Sequence, residues 1–249
     1  MGRGTSKAGG GTTVISNVPV NPVALTDSEA QQLRDQQDSM YDANTTSAVK
    51  MYISNTDFDK QGHSLSQCMN FLEDNGVDLA TADVNTINKQ YGLRLTANDL
   101  ASLQYTSAYM DVAVHPLGKS VQLQRGAHDD LLKNTFGIQD YSKMSQQQLQ
   151  DALVGQCFQS KSNMSTSYDV NKNPFLGKGS GVSGGRELIL NINAGANSKV
   201  LFGAKAQSEI IMGKSNNYKI TGVRYNGNYA TPRGKYTSMP QLEIDIDTF

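Results

Sequence analysis

The sequence predicts an α+β fold, with a layer of helices first and a sheet after it. Two observations carry this. Apolar residues recur at helical spacing through the first half of the 249-residue chain and at alternate positions through the second. The helical stretches open on Ser, Thr or Asp caps, whereas Gly- and Asn-rich stretches separate the alternating ones. Helices gathered ahead of strands give an α+β arrangement rather than interleaved βαβ units.

Residues 1–22 read as a tail. Gly2, Gly4, Gly9, Gly10 and Gly11 remove backbone restraint, and no apolar stretch follows Arg3 and Lys7, so no secretory signal is expected. Residues 23–63 read as a helical extension of unassigned role, and 64–249 as the main domain. Thr26 with Glu29 forms a capping box that opens a first helix, with Ala30, Leu33, Gln37, Met40 and Tyr41 along one side. Ser64 caps a second, with Leu65, Cys68, Met69 and Leu72 on one face and Asn75-Gly76 as its stop. Asp83 starts a third through Val84, Ile87 and Tyr91, ended by Gly92. Thr96 and Asp99 open a fourth, with Leu100, Leu103, Met110 and Val114 inward and His115-Pro116 as its end. A fifth runs from Ser145 to Val154.

The period then changes to two. Val121, Leu123 and Arg125 share one parity, as do Leu188, Leu190 and Ile192. Gln207, Glu209 and Ile211 are expected on one strand face. Tyr218 to Val223 is a further strand, and Leu242 to Asp247 another with an acidic face of Glu243, Asp245 and Asp247.

Composition narrows the class. Charged residues are 18% and the net charge is -1, so no chain-wide basic footprint for nucleic acid exists. No apolar run reaches the ~18 residues of a membrane helix. Cys68 and Cys157 have no Cys or His partners at metal-ligand or disulfide spacing, which predicts free thiols and no metal site. The expected location is cytoplasmic, or delivery with a phage particle or by a non-classical secretion route.

Three short segments carry chemistry. In Leu123-Gln124-Arg125-Gly126, parity turns Arg125 inward. Its fork of donors suits a phosphate, and Gly126 lets backbone approach a ligand. In Met164-Ser165-Thr166-Ser167-Tyr168, two hydroxyls two residues apart face one way on a strand. In Gln207-Ser208-Glu209, an amide and a carboxylate reach the same space, suited to a ribose hydroxyl and developing positive charge. Each alone also reads as ordinary structure: a strand-end Arg paired to a carboxylate, a Ser-rich strand edge, a polar strand face.

In that order the three resemble the signature of the arginine–serine–glutamate class of mono-ADP-ribosyltransferases. Leu95 to Thr106 resembles that family's helix before the Arg strand, Leu201 to Ala206 its recognition turn, and Lys219 to Val223 the strand that follows. The likeness spans about Ser64 to Val223, so that 64–249 becomes an ADP-ribosyltransferase-like domain. It implies a two-sheet core around an NAD cleft.

The resemblance also implies roles. Arg125 binds the NAD phosphates, and the backbone at Gly126 holds the nicotinamide amide. Ser165 orients the catalytic Glu209, and Thr166 and Ser167 line the same strand. Glu209 holds the ribose 2′-hydroxyl and stabilises an oxocarbenium-like transition state. Gln207 sets the acceptor: it resembles members that modify asparagine or guanine rather than arginine. Phe202 belongs to the recognition turn, Phe175 would cover nicotinamide, and Arg186 would add a phosphate contact. The sequence departs from the pattern at Asn163 and Gln124, where aromatics are usual. Phe158-Gln159-Ser160-Lys161-Ser162 offers a second register with Ser160 in place of Ser165. The expected activity is transfer of ADP-ribose from NAD to a protein side-chain amide. NAD hydrolysis, guanine modification, or an inactive structural module of the same fold stay open beside it.

Overall fold

The first turns of the helices are closed by their own side chains. In the computed structural model, which describes residues 23–54, 56–127, 130–169, 187–229 and 239–249, helix α1 spans Asp27–Asp38. Thr26 Oγ1 accepts from the Glu29 amide at 3.3 Å, and the Glu29 carboxylate accepts from the Thr26 amide at 3.0 Å. The same reciprocal box opens α3 (Leu65–Asp74) with Ser64 and Gln67, and α5 (Ala97–Ala113) with Thr96 and Asp99. Asp83 caps α4 (Val84–Tyr91), and Gly92 ends it in the left-handed region at φ 70°.

Two helices lie where none is expected. α1 stops at Asp38, because Asp42 caps a separate helix α2 (Ala43–Ile53) by accepting from the Thr45 amide at 2.7 Å. Met40, placed in the first helix's apolar stripe by spacing alone, therefore falls in the connection and is exposed. The short helix α6 (Asp130–Phe136) precedes the expected Ser145-capped helix, α7 (Gln146–Leu153).

The strands are β1 (His115–Pro116), β2 (Val121–Ala127), β3 (Cys157–Gln159), β4 (Met164–Ser167), β5 (Glu187–Ala194), β6 (Lys199–Phe202), β7 (Glu209–Met212), β8 (Asn217–Tyr229) and β9 (Met239–Thr248). They form one hydrogen-bonded sheet in the order β1-β6-β7-β4-β2-β5-β9-β8-β3. It divides into two wings, β1-β6-β7-β4 and β2-β5-β9-β8-β3. A single residue pair, Gln124 with Ser167, joins β2 to β4 across the division. The expected two-sheet core takes this form. Within the second wing β5 runs parallel to β9, and the other pairings are antiparallel.

Two apolar clusters flank the sheet. One packs Leu123, Leu190, Ile192, Ile210, Ile244 and Ile246 with residues of α7. The other packs Leu201 and Ile211 against α2, α3 and α5 through Tyr52, Met69, Leu72, Leu103 and Met110. Each buried aliphatic side chain contributes about 1.5–3 kcal/mol. The extension 23–63 is thus built into both clusters: Leu25 and Ala30 enter the first, Val49 and Tyr52 the second. No helix among the described residues is long and apolar enough to cross a membrane.

Candidate active site

The site forms where the two wings meet. Arg125 lies on β2 one residue past Gln124, which is the point of contact with β4. Its Nη1 donates to the Ser165 carbonyl at 2.8 Å. Burial works against the Arg125 charge and lowers its pKa, while Tyr52, Asp74, Tyr218 and Glu209 are close enough to favour it. The guanidinium is thus tethered to β4. Gly126 follows on β2, opposite Ile189.

β4 pairs antiparallel with β7, setting Ser165 opposite Ile211, Thr166 opposite Ile210 and Ser167 opposite Glu209. Residues directly opposite share a face. Ser165, Ser167 and Glu209 therefore lie on one side of the sheet. Thr166 turns to the other, where its hydroxyl donates to the Ile210 carbonyl at 2.6 Å. Ser167 is the serine facing Glu209. Its Oγ lies 2.9 Å from the Gln207 carbonyl and anchors the turn that delivers the glutamate. Ser160 sits beyond the end of β3 with its hydroxyl donating to the Ser162 carbonyl at 2.7 Å, whereas Ser165 lies on β4 with its carbonyl accepting from Arg125.

The Gln-x-Glu segment departs from the expected strand. Gln207 closes a 3-10 turn (Lys205–Gln207), and β7 starts only at Glu209. Between them Ser208 adopts φ 49°, ψ 40°. A non-glycine residue there costs about 1–2 kcal/mol. Its hydroxyl is also buried and lacks a hydrogen-bond partner among the described residues. The turn leaves Gln207 half-exposed while sending the Glu209 side chain back across Gly203. There, Glu209 Oε2 accepts the Ala204 amide at 2.7 Å. A Cβ on Gly203 would fall 2.1 Å from that same oxygen, so only glycine leaves room for the carboxylate.

Several contributors are not marked in the sequence. Tyr52 on α2 is buried and within electrostatic range of both Arg125 and Glu209. Phe202 is buried at the end of β6 rather than displayed on the turn, and the Arg34 guanidinium lies 5.6 Å from its ring centre. By sequence Gly203 is only part of a turn, and Arg34 is an ordinary polar residue of a helix. A glycine between two strands carries no local mark of the side chain that will cross it. Phe175 and Arg186 lie outside the described residues.

Away from this site, Asp59, His63 and Cys68 bring their donor atoms within 4.8 Å of one another, a proximity their spacing did not suggest. They satisfy each other: His63 Nδ1 is 2.7 Å from Asp59 Oδ2, and the Cys68 thiol donates to the same oxygen at 3.7 Å.

No known sequence family matches the chain, and no curated protein does. Solved structures do. Plx2a, an ADP-ribosyltransferase toxin from Paenibacillus larvae, superposes with a TM-score of 0.58 at 12% identity, covering 90% of this chain and 96% of its own. An ADP-ribosyltransferase from Clostridium botulinum gives 0.54 at 16% identity, over 92% and 98%. The C3 exoenzyme of Clostridium limosum also gives 0.54 at 16% identity, over 90% and 95%. The fold is that of the bacterial ADP-ribosyltransferase toxins. Its coverage exceeds the region in which the sequence motifs lie.

Proposed function

We propose that the chain cleaves NAD between nicotinamide and ribose and transfers ADP-ribose to a side-chain amide of a protein. The observation that carries this reading is the meeting of Arg125, Ser165 and Glu209 on three adjacent strands, with Arg125 bonded to the Ser165 carbonyl at 2.8 Å. The fold shared with ADP-ribosyltransferases supports it.

The chemistry follows from the groups present. Arg125 offers fixed N–H donors to the pyrophosphate. The Gly126 backbone holds the nicotinamide amide, as the family pattern implies. As the bond from C1′ to the nicotinamide nitrogen breaks, nicotinamide leaves neutral with the electron pair. Positive charge then spreads over C1′ and the ring oxygen. The Glu209 carboxylate, fixed by the Ala204 amide, stabilises that charge. The acceptor nitrogen bonds to C1′ and releases a proton. Half-exposed Gln207 can both donate to and accept from an amide, which suits a neutral acceptor.

Incubation with labelled NAD and cell lysate tests the reading. Label should pass to a protein with the wild type and not with Glu209→Ala. Free nicotinamide without labelled protein would indicate hydrolysis, and a labelled nucleobase the guanine reading. Absence of NAD binding or turnover would leave an inactive module. Modification of arginine by the wild type would overturn the role given to Gln207.

A further inference from the structure

We propose that Arg34 of α1 is a positioning residue for Glu209, acting through the single peptide group between Gly203 and Ala204. The role of Glu209 rests on the proposed activity; the linkage itself does not.

The geometry starts from an unfinished strand. β1 covers β6 only at Lys199 and Val200, and α5 ends at Ala113, just before it. No strand continues alongside Leu201 and Phe202 on that side among the described residues. α1 supplies what is missing. Gln37, 5% exposed, donates from Nε2 to the Val200 carbonyl at 2.7 Å, and its Oε1 accepts the Phe202 amide at 3.0 Å. One side-chain amide thus stands in for the absent strand's peptide group. Arg34 lies one helical turn earlier on the same face. Its Nη1 donates to the Phe202 carbonyl at 3.2 Å and to the Gly203 carbonyl, with the guanidinium against the Phe202 ring.

The carbonyl of Gly203 and the amide of Ala204 belong to one planar group. Arg34 holds its oxygen, and Glu209 Oε2 holds its N–H at 2.7 Å. A cation, a peptide and a carboxylate therefore stand in line. Donation to the carbonyl polarises the group and strengthens its N–H as a donor. Rotation of the peptide away from Glu209 would break both bonds at once. The segment 23–63 would in that case be part of the catalytic unit.

Arg34→Met and Arg34→Lys, compared with wild type, test this by two readouts. Arg34→Met should lower kcat for nicotinamide release roughly 10-fold, with KM for NAD within about twofold, because the lost alignment matters at the transition state. Arg34→Lys should recover part of the rate, since an ammonium still reaches one carbonyl. The second readout needs no turnover. The Ala204 amide, followed by hydrogen exchange in NMR spectra, should exchange at least about 10 times faster in Arg34→Met than in wild type, with Arg34→Lys between. Unchanged exchange at Ala204 would overturn the linkage. Wild-type protein without activity but with the expected exchange pattern would overturn the functional reading alone. Should Arg34→Met fail to fold, Arg34→Lys carries both measurements.

Discussion

Gly203→Ala tests the placement of the Glu209 carboxylate, to which the proposed function assigns the catalytic role. The added methyl would lie 2.1 Å from Glu209 Oε2, 2.6 Å from its Cδ and 2.8 Å from its Cγ. Glycine's backbone freedom is not in use at this position: the left-handed φ values among the described residues belong to other glycines and to Ser208. Alanine is therefore tolerated by the main chain and refused by the side chain. An ordinary carbon–oxygen contact requires the carboxylate to retreat by about 1 Å, which breaks its 2.7 Å bond to Ala204. A hydrogen bond to a charged group contributes about 1.5–3 kcal/mol. At 1.36 kcal/mol per decade, that is a loss of roughly 10- to 150-fold in kcat. The assay is initial-rate nicotinamide release, beside a thermal melt to show that the fold persists. A folded Gly203→Ala protein with kcat within about twofold of wild type would refute the idea that this contact sets the rate.

Three further outcomes follow from features of the fold. Ser208→Gly should raise stability by about 1 kcal/mol, since it removes a left-handed non-glycine residue and a buried unpartnered hydroxyl at some cost in unfolded-chain entropy; a lower melting temperature would contradict this. Native protein should take up maleimide only at exposed Cys157, because Cys68 is 2% exposed and burial pushes its thiol up to about 12; modification of Cys68 without denaturant would contradict it. The Glu29 carboxyl is held down at about 2 by hydrogen bonds from Lys119 and then Thr26. Because its folded pKa is depressed, its contribution is full above about 4.5 and is lost as pH falls toward 2. The melting-temperature advantage of wild type over Lys119→Met should shrink across that window, and a constant difference would contradict the assignment.

The sequence was most legible where a local device sets structure. Thr26, Ser64, Thr96 and Ser145 each opened a helix as expected, because a capping box is written within four residues. The alternation of Leu188, Leu190 and Ile192 located a central strand, since both wings need a continuous apolar face. Legibility failed where a distant partner decides. Gln37 was placed inward by period, yet nothing local tells that its amide will complete a strand. The Gln207–Glu209 alternation predicted a strand, but Ser208 takes a conformation that Gly or Asn would have advertised. The three segments of the site were visible through their order along the chain. Their assembly depended on pairings across about 40 residues, such as Arg125 with Ser165, which no local pattern encodes.

One residue pair, Gln124 with Ser167, joins the two wings, and the proposed chemistry straddles it. Arg125 belongs to the wing closed by the parallel pairing of β5 with β9, whereas Glu209 belongs to the other. On the proposed reading, neither wing alone holds both the phosphate-binding group and the charge-stabilising group. The proposed cleavage of NAD therefore needs both wings in place, and they share one apolar cluster that packs Leu190 and Ile244 with Ile210.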